Sequence, residues 1–227
     1  DNDPLNGVST FDLVLINKHI LGLEPLNSPF KMIAADANNS RSITTFDIVE
    51  LRKLILGQFT VLPNNSSWRF VDKAYTFPNP LNPFQEIFPE TVQLADLQSD
   101  KSGADFVSVK VGDVNNNAVT SSLVRIEDRT EGTLLFDVSS TPDGRVRVGE
   151  TFTVHFRATE KVKGYQFTLY FPNLEMVDVR PGADMSVGNF GIFNDQHALT
   201  TSFDAEQTVG EFAVTFRAKT TGQLSKM

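Results

Sequence analysis

An internal repeat at an offset of 35 residues most constrains what the front of this 227-residue chain can fold into. Val8-Ser9-Thr10-Phe11-Asp12-Leu13-Val14 returns as Ile43-Thr44-Thr45-Phe46-Asp47-Ile48-Val49, and Lys18, Ile20 and Gly22 return as Lys53, Ile55 and Gly57. In each copy an oxygen-rich loop runs into a segment whose apolar residues recur at helical spacing. Phe11, Val14, Leu15 and Leu21 form one such set and Phe46, Val49, Leu54 and Leu56 the other. A glycine suited to a helix end closes each segment. Two short amphipathic helices follow, and neither can bury its own stripe, so they are expected to pack together.

The loops carry the candidate chemistry. Counting Asp36 as position 1, side-chain oxygens fall at Asp36, Asn38, Ser40, Thr44 and Asp47, positions 1, 3, 5, 9 and 12, and Ser42 offers its carbonyl at position 7. That is the spacing of an EF-hand calcium loop, where alternate residues turn oxygens toward a hard cation and a terminal carboxylate closes the shell. Ile43 at position 8 would pin two such loops back to back. The first copy supplies Asp1, Asp3, Ser9 and Asp12 at positions 1, 3, 9 and 12, with Leu5 lacking a side-chain oxygen and the glycine one place late. A water or a carbonyl is expected to replace the missing ligand. An aspartate ahead of a helix commonly serves only as a cap, and asparagine-rich loops commonly serve only as turns. Two copies in register favour the cation, so two Ca2+ sites are expected. His19 is read as a surface or interhelical residue.

The duplicated loop and helix resemble a type I dockerin, and the run Ser9 to Gly22 is similar to the dockerin-like modules of large secreted Bacteroidetes proteins. The resemblance covers residues 1–57. It implies an EF-hand-like helix pair, and it places Thr10, Phe11, Thr45 and Phe46 where cellulosomal dockerins meet a cohesin. Two phenylalanines replace the polar residues usual there, and core and interface both remain open for them.

Residues 61–119 read as a packed connector, because Trp68, Phe70, Tyr75, Phe77, Phe84 and Phe88 are too many aromatics to leave in water. A sugar-binding platform is the other reading of these rings. Trp68-Arg69-Phe70-Val71-Asp72 is expected to be a short ordered element, and Phe106–Val111 a strand or a helix end. Asp113, Asn115 and Asn117 then hold positions 1, 3 and 5 of a third loop, but Ser121 at position 9 is followed by Val124 at position 12. This half-site either takes a carboxylate from elsewhere, as a third Ca2+ site, or is a cluster of Asx turns.

From residue 120 the pattern changes to short alternating runs at Thr133–Val138, Thr151–Ala158, Tyr165–Phe171, Leu174–Val179, Val187–Phe193, Leu199–Phe203 and Glu211–Ala218, punctuated by turns such as Pro142-Asp143-Gly144 and Pro181-Gly182. Strands at this spacing predict an antiparallel β-sandwich over residues 120–227. Gly164–Phe171, Leu174–Val179 and the late Gly-Glu strand resemble the cohesin-like and carbohydrate-binding sandwiches. The expected fold is therefore multi-domain: a small all-α, EF-hand-like dockerin repeat over 1–60, an irregular connector over 61–119, and the sandwich. The first residue lies inside a motif and the last residues follow a strand-like run, so the chain is expected to be part of something longer, with the sandwich truncated at its C-terminal edge.

Function follows from what the residues offer. The net charge is −8, with 28 Asp and Glu against 20 Lys and Arg and no basic run, which argues against nucleic acid. No apolar stretch is long enough to span a membrane. Cysteine is absent, which rules out disulfides and thiolate metal sites. His19, His155 and His197 show no triad or metal spacing, and Glu175 and Asp178 are carboxylates without an argument for a cleft, so no enzyme is expected. The expectation is a calcium-stabilised structural or adhesive module of a large secreted, extracellular or cell-surface bacterial or filament protein. Its partners are neighbouring domains of the same chain or like subunits. The alternatives are a module that recruits a cohesin-like partner and one that binds a glycan.

Overall fold

The computed structural model describes residues 3–94, 98–100, 102–120, 136–139 and 144–224. The architecture is mixed, a few N-terminal helices followed by strands in separate sheets. The chain divides into two compact units, Asp1–Ile55 with Phe59–Asp128, and Leu56–Gln58 with Arg129–Met227.

The first unit opens with α1 (Thr10–Ile20), α2 (Pro29–Ala35) and α3 (Thr45–Ile55). Ser9 starts α1 as the N-cap of a capping box, its hydroxyl accepting from Phe11 while the Asp12 carboxylate reaches back to the Ser9 amide. Lys18 lies in the last turn, where a cation suits the helix dipole. The repeat gave no hint of α2. Pro29 begins it, at a position where a missing N–H costs nothing.

The buried stripes match the expected ones only in part, with Val14, Leu54 and Leu56 buried as read. Asp12, Leu13 and Ile16 are buried in α1 and Asp47, Ile48 and Leu51 in α3, while Phe11, Leu21, Phe46 and Val49 are exposed. Both aspartates turn inward to cap backbone amides, and Ile16 and Leu51, four places on, share their face. Each preceding phenylalanine is thereby carried about 100° round the helix, toward solvent.

The connector shares the helices' core. Its strands β1 (Trp68–Asp72) and β2 (Phe106–Lys110) form an antiparallel ribbon with Phe70 opposite Ser108. Val71, Val109, Val111, Phe77 and Phe88 belong to one apolar cluster with Leu13, Ile16, Ile33, Leu51 and Leu54. Phe77 meets Tyr75 and Phe30 edge-on, at centroid separations of 5.1 and 5.7 Å. Each phenylalanine buried in this way contributes about 1.5–3 kcal/mol, which holds a segment poor in regular structure against the helices.

The second unit contains β3 (Phe136–Ser139), β4 (Arg145–Val146), β5 (Thr151–Ala158), β6 (Val162–Tyr170), β7 (Leu174–Pro181), β8 (Phe190–Phe193), β9 (Ala198–Thr208), β10 (Glu211–Ala218) and β11 (Gly222–Gln223). They form a four-stranded sheet in the order β3-β5-β10-β7, a three-stranded sheet β6-β9-β8 and a two-stranded ribbon of β4 and β11, all antiparallel. Alternation positions the core, since Phe152 and Val154 of β5, Phe212, Val214 and Phe216 of β10, Leu199 of β9 and Phe190 of β8 lie in one cluster. Val187–Asn189, read as part of a strand, is a turn of 3-10 helix before β8. Residues 133–135 of the first expected strand, and Pro142 and Asp143 of the expected turn, lie outside the described residues. Among the described residues no helix is long and apolar enough to cross a membrane.

Candidate functional site

The oxygen-rich loops of the first unit are built around four buried aspartates, Asp12, Asp36, Asp47 and Asp113. In the second copy, Asp36 Oδ1 accepts the Ser40 amide at 2.8 Å and Oδ2 the Arg41 amide at 2.9 Å. Asn38 Oδ1 accepts the Ser40 amide as well, at 3.0 Å, and the Ser40 hydroxyl lies 3.1 Å from that of Ser42. Asp47 Oδ2 accepts the Thr44 amide and hydroxyl at 2.8 and 3.2 Å, and its Oδ1 accepts the Asn38 amide at 3.1 Å. The structure thus brings Asp36, Asn38, Ser40, Ser42, Thr44 and Asp47 into one loop. Burial pushes the Asp36 carboxyl above its ordinary range, and the nearby Asp47 charge adds to that. Asn39 and Arg41 take positive φ values of 57° and 63°, the bends that let these amides turn back on the carboxylate.

The first copy is arranged otherwise. Asp3 is exposed at the surface, where its Oδ1 accepts the Leu5 amide at 3.1 Å. Asp12 Oδ2 accepts the Ser9 amide and hydroxyl at 2.9 and 3.1 Å, and its Oδ1 accepts the amide of Val114 at 3.0 Å. Burial pushes the Asp12 carboxyl up to about 6, against the pull of the backbone hydrogen bonds from Ser9 and Val114. Asp12 therefore faces the third loop. Asp1 lies outside the described residues. In the third loop, Asp113 Oδ1 accepts from Asn116 and Asn117, Oδ2 accepts from Ala118 at 2.8 Å, and Asn115 Oδ1 accepts from Asn117 at 3.1 Å. Asn117 Oδ1 is buried with no hydrogen-bond partner. Ser121 and Val124, the later positions read for that loop, lie outside the described residues.

The expectation of calcium, at the two repeat loops and at the third, is corrected by this geometry. Among the described residues no three Asp, Glu, His or Cys side chains come together as a group that could hold a metal ion. Asparagine, serine and threonine occupy the alternating positions, so carboxylates are few. The carboxylate oxygens of Asp12, Asp36, Asp47 and Asp113 accept backbone amides, as caps and Asx turns do.

Of two further features, the first escaped the sequence reading and the second was left open by it. Lys110 is buried, donates to Ser67 Oγ and to the Asp3 carbonyl at 3.3 Å, and stands 5.6 Å from the Trp68 ring centroid. Burial pulls its ammonium down to about 8. Alternation along β2 would put Lys110 on the face opposite Val109, so no pattern in the sequence pointed to its burial, and the two are both buried where the strand runs out. The second feature is the pair of phenylalanines, Phe11 at 50% and Phe46 at 71% exposure, at equivalent positions of the two copies. Beside them Thr10 is buried and Thr45 exposed. In the second unit, Glu175 and Asp178 sit on the surface of β7, against Arg217 at 3.4 Å and Arg180 at 2.9 Å. No family model, curated protein or solved structure matches this chain.

Proposed function

We propose that this chain is a non-catalytic structural or adhesive module of a larger extracellular bacterial surface or filament protein, made of a dockerin-like helix pair with its packed connector and a cohesin-like or carbohydrate-binding-like β-sandwich. The observation that carries this reading is the shared core of the first unit. Helices that in a recruiting module would form a small independent domain are here one body with β1, β2 and the connector aromatics. Their inward faces are thereby committed to internal packing, which suits a part that holds shape. Antibodies raised against the chain should label intact cells of the source bacterium, and loss of that label after mild surface proteolysis should leave cytoplasmic markers untouched. Label seen only after cell lysis would refute the extracellular placement.

The exposed pair Phe11 and Phe46 favours a second reading, recruitment of a cohesin-like partner by the helix pair. Large exposed apolar residues at matching sites of a repeat are the kind of anchor that interfaces use. Surface plasmon resonance of the full chain over a panel of cohesin-like domains tests it. Binding that the double substitution Phe11→Ser with Phe46→Ser abolishes would establish recruitment, and no binding across the panel would leave the structural reading alone.

A further inference from the structure

We infer that residues 113–118 are the leading half of the first repeat's loop, and that residues 3–12 and 110–119 form a clasp that must open before α1 can. In the second copy the six residues Asp36–Arg41 are followed by the six residues Ser42–Asp47. In the first copy Gly7–Asp12 correspond to the second of these halves, and Asp113–Ala118, separated in the chain but joined in space, stand in for the first, in place of the Asp1–Asn6 that the 35-residue offset pairs with Asp36–Arg41. The sequences agree, with aspartate first and asparagine third and fourth in both leading halves.

The geometry agrees at most positions, the differences being a positive φ at Arg41 that Ala118 does not share and a further amide, from Asn116, on Asp113 Oδ1. The fourth residue of each half-loop has a positive φ, 57° at Asn39 and 63° at Asn116. The first aspartate accepts the amide of the sixth residue, from Arg41 at 2.9 Å and from Ala118 at 2.8 Å. The third residue accepts the amide of the fifth, at 3.0 Å in one and 3.1 Å in the other. The last aspartate takes an amide from its leading half in both cases, from Asn38 at 3.1 Å and from Val114 at 3.0 Å, with the partner shifted by one residue. Where the second copy continues from Arg41 to Ser42, the first places Ala118 against Gly7. A Cβ on Gly7 would stand 2.6 Å from the Ala118 Cα, so only glycine allows the two backbones to meet there.

The junction is held by hydrogen bonds across a long stretch of chain. Asn6 pairs with the Val119 main chain in both directions, its Oδ1 accepting at 2.9 Å and its Nδ2 donating at 2.8 Å. Lys110 donates to the Asp3 carbonyl, and Val114 caps Asp12 from 102 residues away. Val8, Val111 and Val114 are buried in one apolar cluster. The start of α1 is therefore completed by a distant segment, whereas the start of α3 is completed by its own loop. Opening residues 110–119 takes the Val114 amide from the Asp12 carboxylate of the α1 capping box, and opening residues 3–8 frees the third loop, so the two segments release together while the second repeat stays shut.

Hydrogen exchange on the full 227-residue chain tests the clasp. Asn6→Ala removes both bonds to Val119, and exchange should speed up about tenfold over residues 8–14 and 110–119 alike, with residues 36–55 unchanged. A rise confined to one of the two segments, or an equal rise over 36–55, would overturn the inference. The unaltered chain gives a second reading should that variant fail to fold. Under increasing denaturant, the amides of Val114, Val119 and early α1 should follow one opening curve, separate from that of α3. Separate curves for Val114 and α1 would defeat it.

Discussion

At the scale of single residues, the first unit depends on polar groups that do the work of backbone caps. His19 is an example, because its Nδ1 accepts the Leu26 amide at 3.2 Å and must be unprotonated to do so. Burial lowers its pKa below the usual 6.5. A histidine whose folded pKa is depressed adds stability that is present above its unfolded value and is lost as pH falls through the folded one. Lowering the pH from 7 should therefore weaken the α1–α2 connection, with the Leu26 amide resonance and the imidazole titrating together below 6.5. An imidazole titrating at or above that value would contradict the hydrogen bond as described. Gly112 illustrates a different constraint. Its φ is 94°, and an added Cβ would lie 2.7 Å from Leu51 Cδ2 and 3.0 Å from both Val8 methyls. Gly112→Ala meets strain and overpacking together and should cost about 2 kcal/mol or more, read as a lower denaturant midpoint with an unchanged slope.

At the scale of elements, the connector should be inseparable from the helices. Phe77 is buried against Phe30 at the start of α2, against Tyr75 and against Phe88, in the same cluster as Leu13 and Leu51. Phe77→Ala should destabilise the first unit by about 3–5 kcal/mol, and the helical circular dichroism signal should melt at the correspondingly lower temperature. A helical transition left in place by this substitution would mean that the helices fold without the connector. Much of this was legible in the sequence, and the reasons differ by element. The repeat announced α1 and α3 because Asp12 and Asp47 sit in identical settings, and alternation located β5, β6, β7, β9 and β10 to within a few residues. The inward face of the helices was harder to read. Phe11 and Phe46 outweigh Leu13 and Ile48 in any count of apolar residues, yet the burial of Asp12 and Asp47 decides the rotation. The partnership of Asp12 with Val114 was hidden by separation along the chain, because no local pattern links residues so far apart. α2 was missed because seven residues are too few to display a helical period.

At the scale of the whole molecule, each unit has a core of its own. One apolar cluster runs from Val8 to Val114 and the other from Val146 to Ala218, with no residue in common. Folding cooperativity follows cores, since the stability of a domain comes chiefly from the apolar surface that it buries. Two clusters without a shared member predict two transitions, and substitutions should act on one transition each. Val214 is fully buried in β10, between β5 and β7, and Val214→Ala should remove about 1–3 kcal/mol from the second unit alone. Combined with Phe77→Ala its effect should be additive, because the two residues belong to different clusters. Calorimetry of the two single variants and the double variant provides the check. Each single variant should move one component of the heat-capacity profile and leave the other in place, and the double variant should move both by the amounts seen singly. A single transition that either substitution shifts as a whole would mean that the two cores unfold as one, and the division of the chain into two independently stable units would be wrong.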